Sequence, residues 1–252
     1  MKTISAAEAR AMLEGPMSGR FAPKKASRGR HAQQGRAARA AGERVEDAVR
    51  AANALYAQRT DAHRASQVPP DGPWGRFQWA RVETRIGRGG ATYRVGQSGA
   101  DIHGAAAWLD AEGVKRRASV IAEVKGRKGA RLPLTVRGKR LIDGKQRVDL
   151  DTALDGGLVG VLVCLRTTSG RRWFWCPWAG WRALEHYIEI TERKSVPLAD
   201  FERGAAGGIE TPRGCFTCVE AREGAAPVAV GRRSALPVFW LEAAVATWKG
   251  AQ

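Results

Sequence analysis

Hydrophobic positions recur at spacings of three and four residues in the first patterned segment, residues 42–59. One apolar stripe along a helix would contain Val45, Val49, Ala52 and Tyr56, so the spacing predicts an amphipathic helix. Farther along, glycine-containing turns separate shorter apolar runs, which predicts a series of strands. These strands cover residues 76–84, 91–97, 100–109 and 118–125. Prolines between the helix and the first strand predict a loop there.

The second half of the chain continues with helix and strand patterns. The later part of residues 134–157 predicts a helix, and residues 181–192 predict another. The first of these helices would contain Val148, Leu150, Ala153 and Leu154 and end at Gly156 and Gly157. Between the two helices, residues 158–178 predict a strand, a turn and a second, aromatic strand. This order predicts an α/β fold in which helices flank a mixed central sheet. No glycine-rich turn joins a strand to a helix as a Rossmann fold requires, and no Walker pattern is present.

The chain carries a large excess of positive charge. Its 252 residues include 42 Lys and Arg against 25 Asp and Glu, which gives a formal net charge of +17. Such an excess is typical of proteins that bind a polyanion, above all a nucleic acid. It indicates a class of partner and not a reaction, because ribosomal and chromatin proteins share it.

Part of this charge lies in a segment without a hydrophobic period. Residues 16–42 contain seven Lys and Arg and no acid, so they predict a flexible basic arm that follows phosphates, or a solvated tail without a specific role. The candidate DNA-binding residues are Lys24, Lys25, Arg28, Arg30, Arg36, Arg39, Arg127 and Lys128. We predict three regions: a basic arm over 1–41, a folded domain over 42–190, and a C-terminal extension of unknown role over 191–252.

The sequence predicts a cytoplasmic protein without a membrane partner. The apolar runs are too short to cross a bilayer, and the N-terminal residues include acids but no apolar signal-peptide core. Four cysteines are therefore expected to be reduced thiols. Cys215 and Cys218 form a CxxC pair that could bind zinc together with Cys176, but no fourth ligand is evident, and packed free thiols are the alternative.

Acidic and basic side chains occur at the ends of the predicted strands. Glu123 and Lys125 are two residues apart on one strand and share a face of it, whereas Ala122 and Val124 occupy the other face. A solvated strand end with a weak ion pair would give the same pattern. Asp101 lies where a glycine-containing turn ends and the strand predicted at 100–109 begins. It is either an ordinary turn residue or a carboxylate that reaches the end of the neighbouring strand.

Hydrolysis of a phosphodiester needs acidic side chains and a basic side chain close together. Carboxylate and carbonyl oxygens hold one or two hard divalent cations, the metal activates water, and a nearby cation offsets charge in the transition state. Glu46 would supply a third carboxylate if the first helix packs on the sheet, although acids are favourable near any helix N-terminus. Gln146 offers a neutral amide near the start of the next helix. His103 shares the strand face of Asp101, but a packed or surface histidine is the simpler interpretation.

The D…ExK arrangement of Asp101, Glu123 and Lys125 resembles the PD-(D/E)xK nuclease superfamily, and residues 42–178 resemble the RecU family of Holliday junction resolvases. The motifs that carry the resemblance are, in chain order, VEDAVRAANALY (45–56), SQVPP (66–70), DIHG (101–104), EVK (123–125), LPL (132–134), KQ (145–146), GGLVGVLV (156–163) and WFWCPW (173–178). The chain departs from the family pattern at Lys145, where the family has histidine.

This resemblance implies a restriction-endonuclease-like core with a metal centre. It implies that Glu46, Asp101 and Glu123 bind Mg²⁺ or Mn²⁺. Lys125 would orient or neutralise the scissile phosphate, and Gln146 would support the site. The family implies a homodimer that cuts two strands symmetrically across a four-way DNA junction, in recombination and repair. Two other functions stay open: a restriction-type or phage nuclease that acts on duplex or flap DNA, and an inactive DNA-binding protein on the same fold.

Overall fold

The structure, a computed structural model, describes residues 45–58, 77–84, 100–109, 112, 114–136, 138–154 and 156–248. The helices in these ranges are α1 (45–58), α2 (Gly144–Thr152), α3 (Trp178–Ile190), α4 (Leu198–Ala206) and α5 (Trp240–Ala246). The longer strands are β1 (Phe77–Thr84), β2 (Ile102–Leu109), β3 (Lys115–Lys128), β7 (Leu158–Thr167) and β8 (Gly170–Pro177). The short strands are β4 (Arg131–Pro133), β5 (Thr135–Val136), β6 (Lys139–Arg140), β9 (Ser195–Pro197), β10 (Ile209–Thr211), β11 (Gly214–Phe216), β12 (Val219–Ala221), β13 (Val228–Val230) and β14 (Arg233–Ala235). No helix within these ranges is long and apolar enough to cross a membrane.

Six strands form the central sheet in the order β1-β2-β3-β7-β8-β12. β3 and β7 run parallel, and every other neighbouring pair is antiparallel. A parallel pair needs a crossover, and here the chain passes through β4, β5, β6 and α2 on its way from β3 to β7. The predicted α/β fold with a mixed central sheet flanked by helices is therefore confirmed.

The two faces of the sheet bury two separate hydrophobic clusters. On β3, Val120 and Ala122 pack in one cluster with residues of α1 and α5. Ile121 contacts the other cluster, to which α2, α3 and α4 contribute. Because side chains alternate along a strand, Glu123 and Lys125 lie on the face of Ile121. We call this side the α2 face and the opposite side the α1 face.

Most predicted elements are present, with shifted ends. The first helix, the strands β1, β2, β7 and β8, and the helix α3 all correspond to predicted elements. β3 extends over Lys115–Lys128, beyond the predicted 118–125, because it pairs with β2 at one end and with β7 at the other. The strand predicted at 91–97, the proline loop and the basic arm with its six candidate cations lie outside the described residues.

The helix predicted in the later part of residues 134–157 is present as α2, but it ends at Thr152 and not at Gly156. Leu150 is buried, but Val148 and Leu154 are 63% and 38% exposed. The side of the helix that meets the sheet also carries Gln146 and Asp149, which form hydrogen bonds with β3 and with the start of β2. Polar partners on the sheet thus select polar side chains on the inner face of this short helix, and an apolar residue is left on its outer face.

Residues beyond 190 belong to the same fold. β12 is the sixth strand of the central sheet and pairs with β8. Trp240 of α5 is fully buried and donates from Nε1 to the side chain of Asn53 at 3.2 Å. Its ring packs against Tyr56 of α1 and Trp175 of β8. The boundary predicted near residue 190 therefore does not separate two hydrophobic cores.

All four cysteines are free. Cys164, Cys176 and Cys218 are buried, and the Cys218 thiol donates to the carbonyl of Phe201 at 3.1 Å. Cys176 and Cys218 belong to the hydrophobic cluster of the α2 face. Burial raises the pKa of both Cys164 and Cys176, so these thiols act as small core residues and not as reactive thiolates.

Candidate active site

The ends of β2 and β3 bring two carboxylates together. The last ladder pair at this end joins Ile102 to Ala122, so the next residues along the strands, Asp101 and Glu123, stand opposite each other on one face. Asp101 Oδ2 accepts a hydrogen bond of 2.9 Å from the backbone N–H of Val124. Because β3 continues past the end of β2, this bond ties Asp101 to the overhanging part of the neighbouring strand.

The carboxylate of Glu123 is buried and only half satisfied. The residue is 1% exposed. Its Oε1 accepts hydrogen bonds from the Lys125 ammonium and from the Gln146 amide, the second at 2.5 Å. Its Oε2 is also buried, and no described residue donates a hydrogen bond to it; the facing Asp101 carboxylate can share a hydrogen bond with Glu123 only when one of the two acids is protonated. Leaving a buried carboxylate oxygen without a partner is costly, so this atom is a position where a proton or a cation would be stabilised.

The pKa of Glu123 is raised to about 8. Burial is the largest cause, the Lys125 ammonium opposes it, and the facing Asp101 carboxylate raises the pKa further. Two facing carboxylates repel each other when both are ionised. The pair therefore retains a proton near neutral pH unless a cation takes its place.

Lys125 belongs to this buried group. Its side chain is 16% exposed, and its ammonium contacts Glu123 Oε1. The solvated strand end with a weak ion pair, the alternative left open by the sequence, does not describe this arrangement because both charges are largely withdrawn from water. The predicted DNA-binding residues Arg127 and Lys128 follow on the same strand and are exposed.

Gln146 connects the N-terminus of α2 to Glu123. Asp143 caps the helix by accepting from the backbone N–H groups of Lys145 and Gln146 at 2.9 and 3.0 Å. The Gln146 side chain returns the bond, since its carbonyl oxygen accepts from the Asp143 N–H at 3.0 Å. This capping box fixes the amide so that its NH₂ group points to Glu123.

Glu46 lies on α1, which packs on the sheet face opposite to the one that carries Glu123. α1 packs on the α1 face, where Val45 lies so close to Gly126 that a Cβ on this glycine would be 2.6 Å from Val45 Cγ2. The side chain of Glu46 is 40% exposed and accepts from Arg50 at 3.1 Å. Among the described residues, no three His, Cys, Asp or Glu side chains form a group that could hold a metal ion.

The backbone of Ala100, the residue before Asp101, is held by two side chains. His103 Nε2 donates to the Ala100 carbonyl at 3.1 Å. Asp149 of α2 accepts from the Ala100 N–H through Oδ2 at 3.2 Å. Sequence reasoning missed Asp149; the available signal was its spacing of three residues from Gln146, which puts both side chains on one face of a helix.

The residues present fit a hard divalent cation. Asp101 and Glu123 offer carboxylate oxygens, and the buried Oε2 of Glu123 receives no hydrogen bond from the described residues. Two carboxylates are enough for Mg²⁺, which usually keeps several waters and takes substrate phosphate oxygens as further ligands. The third acidic ligand that the resemblance assigns to Glu46 is therefore not essential to the chemistry of such a site.

The comparisons with known proteins identify no relative of this chain. The chain matches no family model, no curated protein and no solved structure. The resemblance of residues 42–178 to the RecU family therefore depends on the sequence motifs alone.

Proposed function

We propose that the protein is a metal-dependent DNA endonuclease with a restriction-endonuclease-like core, which cuts four-way junctions in recombination and repair. The observation that carries the proposal is the buried Glu123 carboxylate, which faces Asp101, contacts Lys125 and leaves one oxygen without a donor among the described residues. A purely structural buried ion pair would satisfy both oxygens. A strongly perturbed carboxylate beside a second acid and a lysine is more typical of a functional site.

Each side chain has a separate part in the proposed reaction. A bound Mg²⁺ or Mn²⁺ would activate water and stabilise negative charge on the scissile phosphate. Asp101 and Glu123 hold that ion with oxygens of the type it prefers. Lys125 favours the ionised form of Glu123 and can place positive charge beside a phosphate oxygen. Gln146 orients the Glu123 carboxylate through a neutral amide and so adds no charge to the site.

Exposed positive charge beside the site residues supports DNA as the substrate. Many arginines away from the strand ends are neutralised by carboxylates, in the pairs Arg140–Glu189, Arg147–Glu185, Arg172–Glu220, Arg182–Asp151 and Arg193–Asp200. Arg127, Lys128 and Lys145 are exposed next to the site residues and, like Lys139, Lys194 and Arg213 elsewhere on the surface, have no acidic partner in the described part of the chain. Exposed cations without a protein partner are those that a phosphate backbone can engage.

The proposal that the substrate is a four-way junction is based on the RecU-like motifs. A two-fold dimer presents two identical sites related by symmetry, which suits a junction whose strands are cut in pairs. The basic arm would add contacts to the DNA backbone outside the site.

Cleavage assays on matched synthetic substrates test this function. A four-way junction, a flap and a linear duplex of equal length and sequence content are incubated with the full chain, with Mg²⁺ or with EDTA. We expect Mg²⁺-dependent, symmetrically placed nicks in the junction alone. Equal cutting of the linear duplex would show general duplex cleavage in place of junction selectivity. Binding without cutting in Mg²⁺ would overturn the assignment as a nuclease.

Removal of residues 16–42 is expected to weaken DNA binding and to flatten its dependence on salt. Each phosphate contact that is lost lowers the slope of log K against log salt by about one. The measurement is a series of binding titrations at several salt concentrations. A matched variant keeps the length of the arm and replaces its seven Lys and Arg by Gln, so that length and charge are separated. An unchanged slope in both variants would show that the arm does not contact DNA.

A further inference from the structure

α2 holds both strands that carry the carboxylates. Gln146, in the first turn of the helix, donates to Glu123 on β3. Asp149, three residues later, accepts from the N–H of Ala100 at the start of β2. Residues three apart lie on one face of a helix. The same helical face therefore fixes both sides of the carboxylate pair.

Asp101 lies beyond the end of its ladder. The β2–β3 pairing stops at Ile102 and Ala122, so the backbone of Ala100 and Asp101 is not held by ladder hydrogen bonds. Hydrogen bonds from side chains hold this part of the backbone instead. Asp149 binds the N–H of Ala100, His103 binds its carbonyl, and Asp101 itself is anchored by its own carboxylate on the next strand.

These contacts form a closed ring. From α2 the ring runs through Asp149 to Ala100 and Asp101, across to Val124 and Glu123, and through Gln146 back to α2. Every link is a hydrogen bond or a peptide bond between neighbours. Without Asp149, the N–H of Ala100, a residue with no exposed surface, loses its partner, and the ring opens on the Asp101 side only.

We propose that Asp149 is a positioning residue, which sets the Asp101 carboxylate at the separation from Glu123 that a divalent cation requires. The inference rests on the proposed function, because it concerns the same metal centre. Asp149 acts through the backbone of Ala100 and does not contact the ion. Partners of this kind typically change metal affinity by about ten- to a hundredfold when they are removed.

Three variants of the full chain test the role. Asp149→Ala removes the acceptor, Asp149→Asn keeps an acceptor oxygen of the same shape without the charge, and Val148→Ala alters the exposed side of the same helix. Binding of Mn²⁺ to the metal-free protein is measured by calorimetry, together with the Mg²⁺ concentration that gives half-maximal cutting. Unfolding midpoints show that each variant is folded at the assay temperature.

We expect Asp149→Ala to raise the Kd for Mn²⁺ about ten- to a hundredfold and to raise the half-maximal Mg²⁺ concentration in parallel. Asp149→Asn should stay within about threefold of the unmodified chain, because its amide oxygen still accepts from Ala100. Val148→Ala should be unchanged. If Asp149→Ala is unfolded, His103→Phe removes the other bond to Ala100 and is expected to weaken Mn²⁺ binding in the same direction.

The failures of the two proposals are distinguishable. An unmodified chain that neither binds Mn²⁺ nor cuts DNA overturns the proposed function, and the role of Asp149 with it. An unmodified chain that does both, with unaltered Mn²⁺ affinity in Asp149→Ala, overturns the positioning role alone. Equal losses in Asp149→Asn and Asp149→Ala would also contradict it, because charge and not the hydrogen bond to Ala100 would then be responsible.

Discussion

Asp101→Asn is expected to lower the rate of DNA cutting about a thousandfold, since several kcal/mol of charge stabilisation at the phosphate depend on a correctly held ion. The amide can still accept from the N–H of Val124, so the strand end keeps its place. DNA affinity should not fall, because the exchange removes a negative charge and leaves every cation in position. Single-turnover cleavage and equilibrium binding of the same junction measure the two effects.

Two further exchanges of an acid for its amide control for charge. Glu189→Gln changes an exposed acid paired with Arg140 and should cut like the unmodified chain. Glu46→Gln changes an acid on α1 that is paired with Arg50, and it should lose less than about tenfold in rate, the range of a group outside the centre. Equal loss of cutting and binding in Asp101→Asn would refute its role as a ligand. A loss in Glu46→Gln as large as in Asp101→Asn would instead add Glu46 to the centre, as the RecU resemblance implies.

Glu123→Gln is expected to stabilise the metal-free protein at alkaline pH while it abolishes cutting. The pKa of Glu123 is raised to about 8 in the folded chain, above its value in the unfolded chain. Its bound proton therefore favours the folded state below the unfolded pKa, and this contribution is lost as the pH rises through about 8. A shift of this size corresponds to about 3–5 kcal/mol. The amide introduced by Glu123→Gln would keep the acceptor for Lys125 and Gln146 and would present an NH₂ group to Asp101.

Urea unfolding in EDTA at about pH 5 and about pH 9 measures this difference. At the lower pH, Glu123 is protonated in the folded chain, and the variant and the unmodified chain should have nearly equal free energies of unfolding. At the higher pH the variant should be more stable by the amount given above. A variant that is less stable at both pH values would show that the carboxylate is a satisfied structural ion pair. The prediction would then fail.

Local patterns predicted the parts of the fold that depend on one element at a time. Period-two alternation placed Glu123 and Lys125 on one face of a strand, and the structure confirms this through the burial of Ala122 on the opposite face. The apolar stripe of the first helix, with Val45 and Tyr56, is buried as predicted. These predictions succeed because side-chain direction follows directly from strand and helix geometry.

Features that depend on docking between elements could not be predicted in this way. No local pattern indicates which sheet face α1 covers, and this choice decides where Glu46 lies. The inner face of α2 is polar because it meets the carboxylate pair, so the apolar pattern of this segment predicted a helix but gave no sign of the role of Asp149. The packing of Trp240 against α1 joins residues far apart in the chain, and the residues around position 240 give no sign of it on their own.

The central claim is that Asp101 and Glu123 together hold a divalent cation. Calorimetric titration of metal-free protein with Mn²⁺ tests it most directly, with the unmodified chain, Asp101→Asn and Glu123→Gln compared at one pH. We predict saturable binding of one ion per chain to the unmodified protein and loss of that binding in both variants. Saturable binding that survives in both variants, or its absence from the unmodified chain up to about 10 mM Mn²⁺, would contradict the claim.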